Sequence, residues 1–112
     1  ATFRASGVKS SFADVKEDGT IAAVAEKIPI SHDATCGVYY FRNALILKNV
    51  ILQMMAKQIK TNGEFYLAPC YNEMIAEGMK IVNYPVPRMY GMGTPEDLEE
   101  TIKQHERKGI FK

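Results

Sequence analysis

Two periodicities of apolar residues divide the chain. In the first forty residues the runs are short and suit extended structure. Ser10 to Val15 and Thr20 to Glu26 alternate around Lys16-Glu17-Asp18-Gly19, and an Asp-Gly step between two such runs signals a hairpin. Ala34 to Phe41 is a third extended run. Its Val38, Tyr39, Tyr40 and Phe41 favour β structure. Its polarity hardly alternates, which predicts a strand buried on both faces.

From residue 43 onward the spacing becomes helical. Asn43 is placed to cap a helix over Ala44 to Lys60, with Leu47, Ile51, Met54, Met55 and Ile59 as its apolar stripe. Gly63 is expected to supply the left-handed stop. A second helix is predicted over Pro69 to Glu77, with Gly78 closing it. Lys80 to Val86 reads as a strand ended by Pro85 and Pro87. A last helix follows, with Thr94 as N-cap and Pro95 in its first turn. Glu96, Asp97, Glu99 and Glu100 lie toward the positive end of its dipole, and Lys103, Arg107 and Lys108 toward the other. The order β-β-β-α-α-β-α predicts an α/β fold, a mixed sheet with flanking helices.

At 112 residues this is a single domain, residues 1–112, and 46% hydrophobic residues are ample for its core. Fourteen basic and thirteen acidic side chains leave a net charge of +1, no electrostatic footprint for nucleic acid or an anionic membrane. No apolar run approaches the ~20 residues of a membrane span. No secretory signal opens the chain. Cys36 and Cys70 sit in apolar surroundings and read as buried free thiols of a reducing compartment. The expected location is the cytoplasm.

Four stretches could carry chemistry. Glu26-Lys27 ends the second run; a carboxylate accepts hydrogen bonds from sugar hydroxyls and a Lys neutralises a phosphate as a point charge. The bland alternative is a solvated strand end. Thr35-Cys36-Gly37 puts a Gly inside a strand, where it marks close approach of a ligand or a bulge. Asn62-Gly63-Glu64-Phe65-Tyr66 sets a carboxylate beside aromatic rings, as a carbohydrate pocket would, or as a cap followed by core residues. Gly91-Met92-Gly93-Thr94-Pro95 precedes a helix whose free amides could receive an anion, or is simply a tight turn. His32 and His105 lack ligand spacing. The methionines read as core filling, and Tyr39, Tyr40, Tyr84 and Tyr90 as half-buried sheet and rim residues.

Taken together and in order, these stretches carry a resemblance. Val24-Ala25-Glu26-Lys27-Ile28-Pro29, Ala34-Thr35-Cys36-Gly37-Val38-Tyr39-Tyr40-Phe41, Asn62-Gly63-Glu64-Phe65-Tyr66-Leu67 and Met89-Tyr90-Gly91-Met92-Gly93-Thr94-Pro95-Glu96-Asp97-Leu98 resemble the C-terminal half of sugar-1-phosphate nucleotidyltransferases. The nearest likeness is to nucleotidyltransferase-like proteins of bacterial capsule and surface-polysaccharide biosynthesis. The resemblance covers nearly the whole chain. It implies the sugar-binding half of a Rossmann-like, glycosyltransferase-A-like domain.

In that family a sugar-1-phosphate attacks the α-phosphorus of a nucleoside triphosphate, with Mg²⁺. The resemblance implies that Glu26 holds sugar hydroxyls and Lys27 approaches the phosphate. Thr35 and Gly37 would line the sugar pocket, with Glu64 and Tyr66 adding polarity. The family's Gly-rich nucleotide loop, its activating basic residue and its first metal-binding Asp belong to an N-terminal half that these residues do not contain. Gly91 stands where many members carry a second metal-binding Asp. The expectation is therefore a sugar-phosphate pocket without catalytic or metal-binding residues, not active alone. Mg²⁺ would enter only with a complementing nucleotide-binding half. The expected partners are a sugar phosphate and either that half or a second copy, since an uncovered sheet edge invites pairing. The alternatives are a homodimeric assembly module without catalysis and one half of a two-chain active enzyme.

Overall fold

The computed structural model describes residues 1–108. Four strands, β1 (Thr2–Arg4), β2 (Ser11–Val15), β3 (Ile21–Glu26) and β4 (Asp33–Thr35), precede three helices, α1 (Ala44–Ala56), α2 (Cys70–Ala76) and α3 (Pro95–Lys108). The strands form one sheet in the order β1-β4-β2-β3, with every neighbouring pair antiparallel. An α/β fold with helices beside a sheet is thus present.

The β2–β3 hairpin forms where the Asp-Gly step predicts it. Gly19 takes φ +83°, and Lys16 and Thr20 close the loop through a 2.8 Å bond. Asp18 Oδ1 accepts from the Thr20 amide (2.9 Å) and hydroxyl (2.6 Å), which lowers the Asp18 carboxyl below its ordinary range.

The third extended run behaves otherwise. β4 ends at Thr35, and Gly37, at φ +81°, turns the chain out of the sheet. Tyr39 and Phe41 pack on α2 instead, Phe41 stacking on Tyr71 at 4.8 Å between ring centroids. Aromatic β propensity expresses a preference for a half-buried surface, and here Tyr71 supplies that surface.

Lys80 to Val86 is not a continuous strand. It makes an antiparallel bridge, Thr20↔Val82, and then a parallel one, Thr2↔Pro85. The Ile21 amide donates to the Ile81 carbonyl and the Asn83 amide to Gly19; the Val86 amide donates to Thr2, whose own amide donates to Tyr84. Pro85 has no amide to donate. One connector thereby stitches both outer strands, β1 and β3.

α1 starts at the Asn43 cap, whose Oδ1 accepts from the Leu45 amide. It stops before its expected end. Gln58, at φ +54°, occupies the left-handed position, with Gln58 N–H donating to Met55 and Ile59 N–H to Met54, the Schellman pattern usually built on Gly. Gly63 instead sits in a tight two-residue turn, Asn62-Gly63 at φ +50° and +78°, between mutually bonded Thr61 and Glu64. Asn-Gly suits such a turn because both residues tolerate positive φ. Gly78 does close α2.

The core lies between the helices and one sheet face. Ala13 and Val24 meet Val50, Met54, Cys70, Tyr71 and Met74. The buried line of α1 is therefore Val50 and Met54 flanked by Ile46 and Ile51, while Met55 and Ile59 face outward. Lys57 clamps α1 to α2 through the buried carboxylate of Glu73 (2.6 Å). α3 is capped by Thr94 Oγ1, which accepts from the Asp97 amide. It is pinned by Thr101 Oγ1 donating to the Gly91 carbonyl (2.7 Å) and by the His105 ring on Tyr90. Both cysteines are free thiols; Cys70 is fully buried and Cys36 half-buried. Among the described residues no helix is long and apolar enough to cross a membrane.

Candidate functional site

Strand register gathers the first candidates. Glu26 pairs with Ser11, Phe12 with Ala34, and Thr2 with Thr35. In an antiparallel sheet this places Glu26, Ser11, Thr35 and Thr2 in one row across four strands, on one face. That is also the face bearing Ala13 and Val24. The row is polar but largely enclosed: Thr2, Ser11 and Glu26 are all buried. Ser11 Oγ donates to Glu26 Oε2. Thr35 Oγ1 shares a hydrogen bond with the Tyr39 hydroxyl (2.9 Å), and Thr2 Oγ1 donates to Asn83 Oδ1 (2.8 Å). Glu26 is thus a held carboxylate and not a solvated strand end.

A second group forms where β3 ends. Lys27 adopts φ +54°, unusual for a residue with a Cβ. Its ammonium donates to the Tyr66 hydroxyl at 2.8 Å and stands 4.8 Å from the centre of that ring. Tyr66 in turn donates to Glu64 Oε2 at 2.8 Å. The Tyr66 hydrogen bond, with help from the Glu26 and Glu64 charges, raises the Lys27 pKa above its ordinary value. Lys27 is accordingly held as a cation. Glu64 is carried by the Asn62-Gly63 turn and caps no helix.

Gly37 stands two residues beyond Thr35, with open space where a Cβ would project. Its positive φ is what turns the chain. The six sequence candidates therefore fall into the Glu26–Thr35 row, the Lys27–Tyr66–Glu64 chain of contacts, and Gly37 at the bend.

Beside the row lies a cavity of about 550 Å³. Of the six candidates Thr35 alone lines it; its walls are mainly apolar, including Ala13, Val24, Tyr39, Tyr71 and Ile81. The sequence reading missed this cavity and the roles of Ser11 and Asn83. Ser11 was findable only with the register shift between Asp14 and Val15, which moves the pairing from Val15↔Ile21 near the turn to Ser11↔Glu26. Asn83 was not, because its contact depends on the connector reaching β1.

Around Gly91 the chemistry is sparse. A Cβ at Gly91 would meet the Asp97 side chain at 3.5 Å, and Lys9 approaches Asp97 Oδ1 at 3.6 Å. Asp97 and Glu100 both border the small cavity at Gly91, but Asp97 already faces an ammonium, which does not fit the divalent cation that the resemblance implies. Among the described residues no group of three or more His, Cys, Asp or Glu side chains gathers as a metal site.

These features can be set beside known proteins. A solved structure, the nucleoside-diphosphate-sugar pyrophosphorylase from Vibrio cholerae RC9, superposes with a TM-score of 0.81 at 29% identity over 92% of this chain. The fold is nucleotidyltransferase-like. This chain spans 45% of that structure's length, so the nucleotidyltransferase-like fold here corresponds to less than half of the longer protein. No protein-family model matches the sequence. Comparison with curated proteins finds no match.

Proposed function

We propose that this chain is the sugar-phosphate-binding wall of a nucleotidyltransferase-like cleft, of the kind used in nucleotide-sugar and surface-polysaccharide biosynthesis, and that it is not active alone. The observation that carries the reading is the pairing of a held carboxylate, Glu26, with a held ammonium, Lys27, at the end of β3. A sugar phosphate needs both an acceptor for hydroxyls and a cation for the phosphate. Likeness to a nucleoside-diphosphate-sugar pyrophosphorylase supports the same class of ligand. In this reading Thr35 and Gly37 border the sugar. The wall that would hold a nucleoside triphosphate comes from a complementing half.

Titration calorimetry tests this directly. A sugar 1-phosphate should bind and a nucleoside triphosphate should not. Glu26→Gln keeps an acceptor for Ser11 but removes the charge, and should weaken sugar-phosphate binding roughly tenfold while the fold persists. Binding of the triphosphate with no response to any sugar phosphate would overturn the assignment.

A second reading concerns assembly. The cavity opens beside exposed Val38, Tyr40, Val82 and Tyr84, a surface that a second copy or a complementing half would cover. The case for dimerisation through a bare sheet edge is weaker than the sequence implied, because the 80–86 connector engages both outer strands.

A further inference from the structure

The sequence assigns Glu64 and Tyr66 to the pocket lining, yet neither side chain borders the cavity beside the Glu26–Thr35 row. What they touch is Lys27. The ammonium donates to the Tyr66 hydroxyl, the same hydroxyl donates to Glu64 Oε2, and the ring centre stands 4.8 Å from the charge. We propose that Tyr66, anchored by Glu64, is a positioning residue that fixes the Lys27 ammonium to receive a phosphate monoester.

The argument is geometric. A lysine head group on a four-carbon stem is a mobile point charge, and ordering it at a ligand costs side-chain entropy. Here that ordering is done before any ligand arrives. A phenol hydroxyl has one proton, and Glu64 takes it, so the oxygen is left as an acceptor facing Lys27. One ammonium hydrogen goes to Tyr66, and an ammonium has three to give. Two therefore remain for phosphate oxygens. The anchor is stiff as well: Glu64 stands on the two-residue Asn62-Gly63 turn, bonded in both directions to Thr61. Lys27 itself is fixed at its backbone by the left-handed φ and by its amide donating to the Ser10 carbonyl at 3.1 Å.

This assignment rests on the sugar-phosphate reading and refines it. Glu64 and Tyr66 act on the phosphate through Lys27 and leave the sugar to other residues.

The test compares inorganic phosphate, glucose 1-phosphate and free glucose as calorimetric probes on the wild type, Tyr66→Phe and Glu64→Gln. Tyr66→Phe keeps the ring and deletes only the hydroxyl of a half-exposed side chain. It should weaken inorganic phosphate and glucose 1-phosphate by the same factor, about three- to tenfold, and leave the response to glucose unchanged. Glu64→Gln should act in the same direction and more mildly. Unchanged phosphate affinity in Tyr66→Phe would overturn the assignment. So would a loss confined to glucose 1-phosphate, because the hydroxyl would then be contacting the sugar. A wild type that binds neither phosphate probe would instead remove the sugar-phosphate reading itself, and this refinement with it.

Discussion

Tyr71 joins three parts of the molecule through one side chain. Its ring stacks on Phe41, its hydroxyl donates to the Tyr40 carbonyl (2.9 Å), and its base sits in the core with Met74. Burial is the main cause that pushes the Tyr71 hydroxyl up to about 12 from an ordinary 10.0. A phenol whose folded pKa is raised holds its proton more tightly folded than unfolded. Its contribution is complete below pH 10 and is lost as pH climbs from 10 toward 12. Two units correspond to at most about 2.7 kcal/mol, and partial access of solvent reduces this to about 1–2 kcal/mol. Urea titrations at pH 9, 10, 11 and 12 should show the wild type losing that much more stability than Tyr71→Phe. Parallel pH profiles for the two proteins would contradict the assignment.

Among the elements, α2 performs an unexpected service for the sheet. Asn72 Oδ1 accepts from the Val24 amide (2.8 Å) and its Nδ2 donates to the Val24 carbonyl (2.7 Å). One side-chain amide thus imitates a neighbouring strand at the open side of β3. Asn72→Leu would leave both backbone groups unpaired, and should cost about 2–4 kcal/mol in chemical denaturation, on a scale of 1–3 kcal/mol for each buried unsatisfied group. A change below 0.5 kcal/mol would mean that water replaces the amide.

Asn72 also illustrates where sequence reading succeeds and stops. The hairpin, the Asn43 and Thr94 caps and the Gly78 stop were legible because each is set by a few adjacent residues. The extent of α1 was not, since Gln58 takes a left-handed conformation that side-chain identity disfavours. β1 and the 80–86 connector were missed as they stand because each depends on distant partners, β1 on β4 (Thr2↔Thr35) and the connector on both outer strands (Thr20↔Val82, Thr2↔Pro85). In the site, Glu26-Lys27 was visible as a pair. That Tyr66 and Glu64 reach Lys27 followed only from the turn that brings residue 66 back to β3.

At the scale of the whole molecule, the shape is open. Its radius of gyration is 15.7 Å, against about 13–14 Å for a compact chain of this length. The exposed Val38, Val82 and Tyr84 border the apolar cavity. If that face is made to be covered, charging it should alter association and not folding. Val38 and Val82 are 64% and 66% exposed, so the double variant Val38→Glu, Val82→Glu should change stability by less than about 1 kcal/mol. Sedimentation velocity should then show less self-association, and binding of an apolar dye should fall. A wild type that stays monomeric and takes up no dye would argue that this surface needs no cover.

The cavity has a practical bearing on all such experiments. Val38 and Val82 both border it and are exposed. A fluorophore attached at either position would sit in the cavity mouth, where it would compete with whatever the assay was meant to detect.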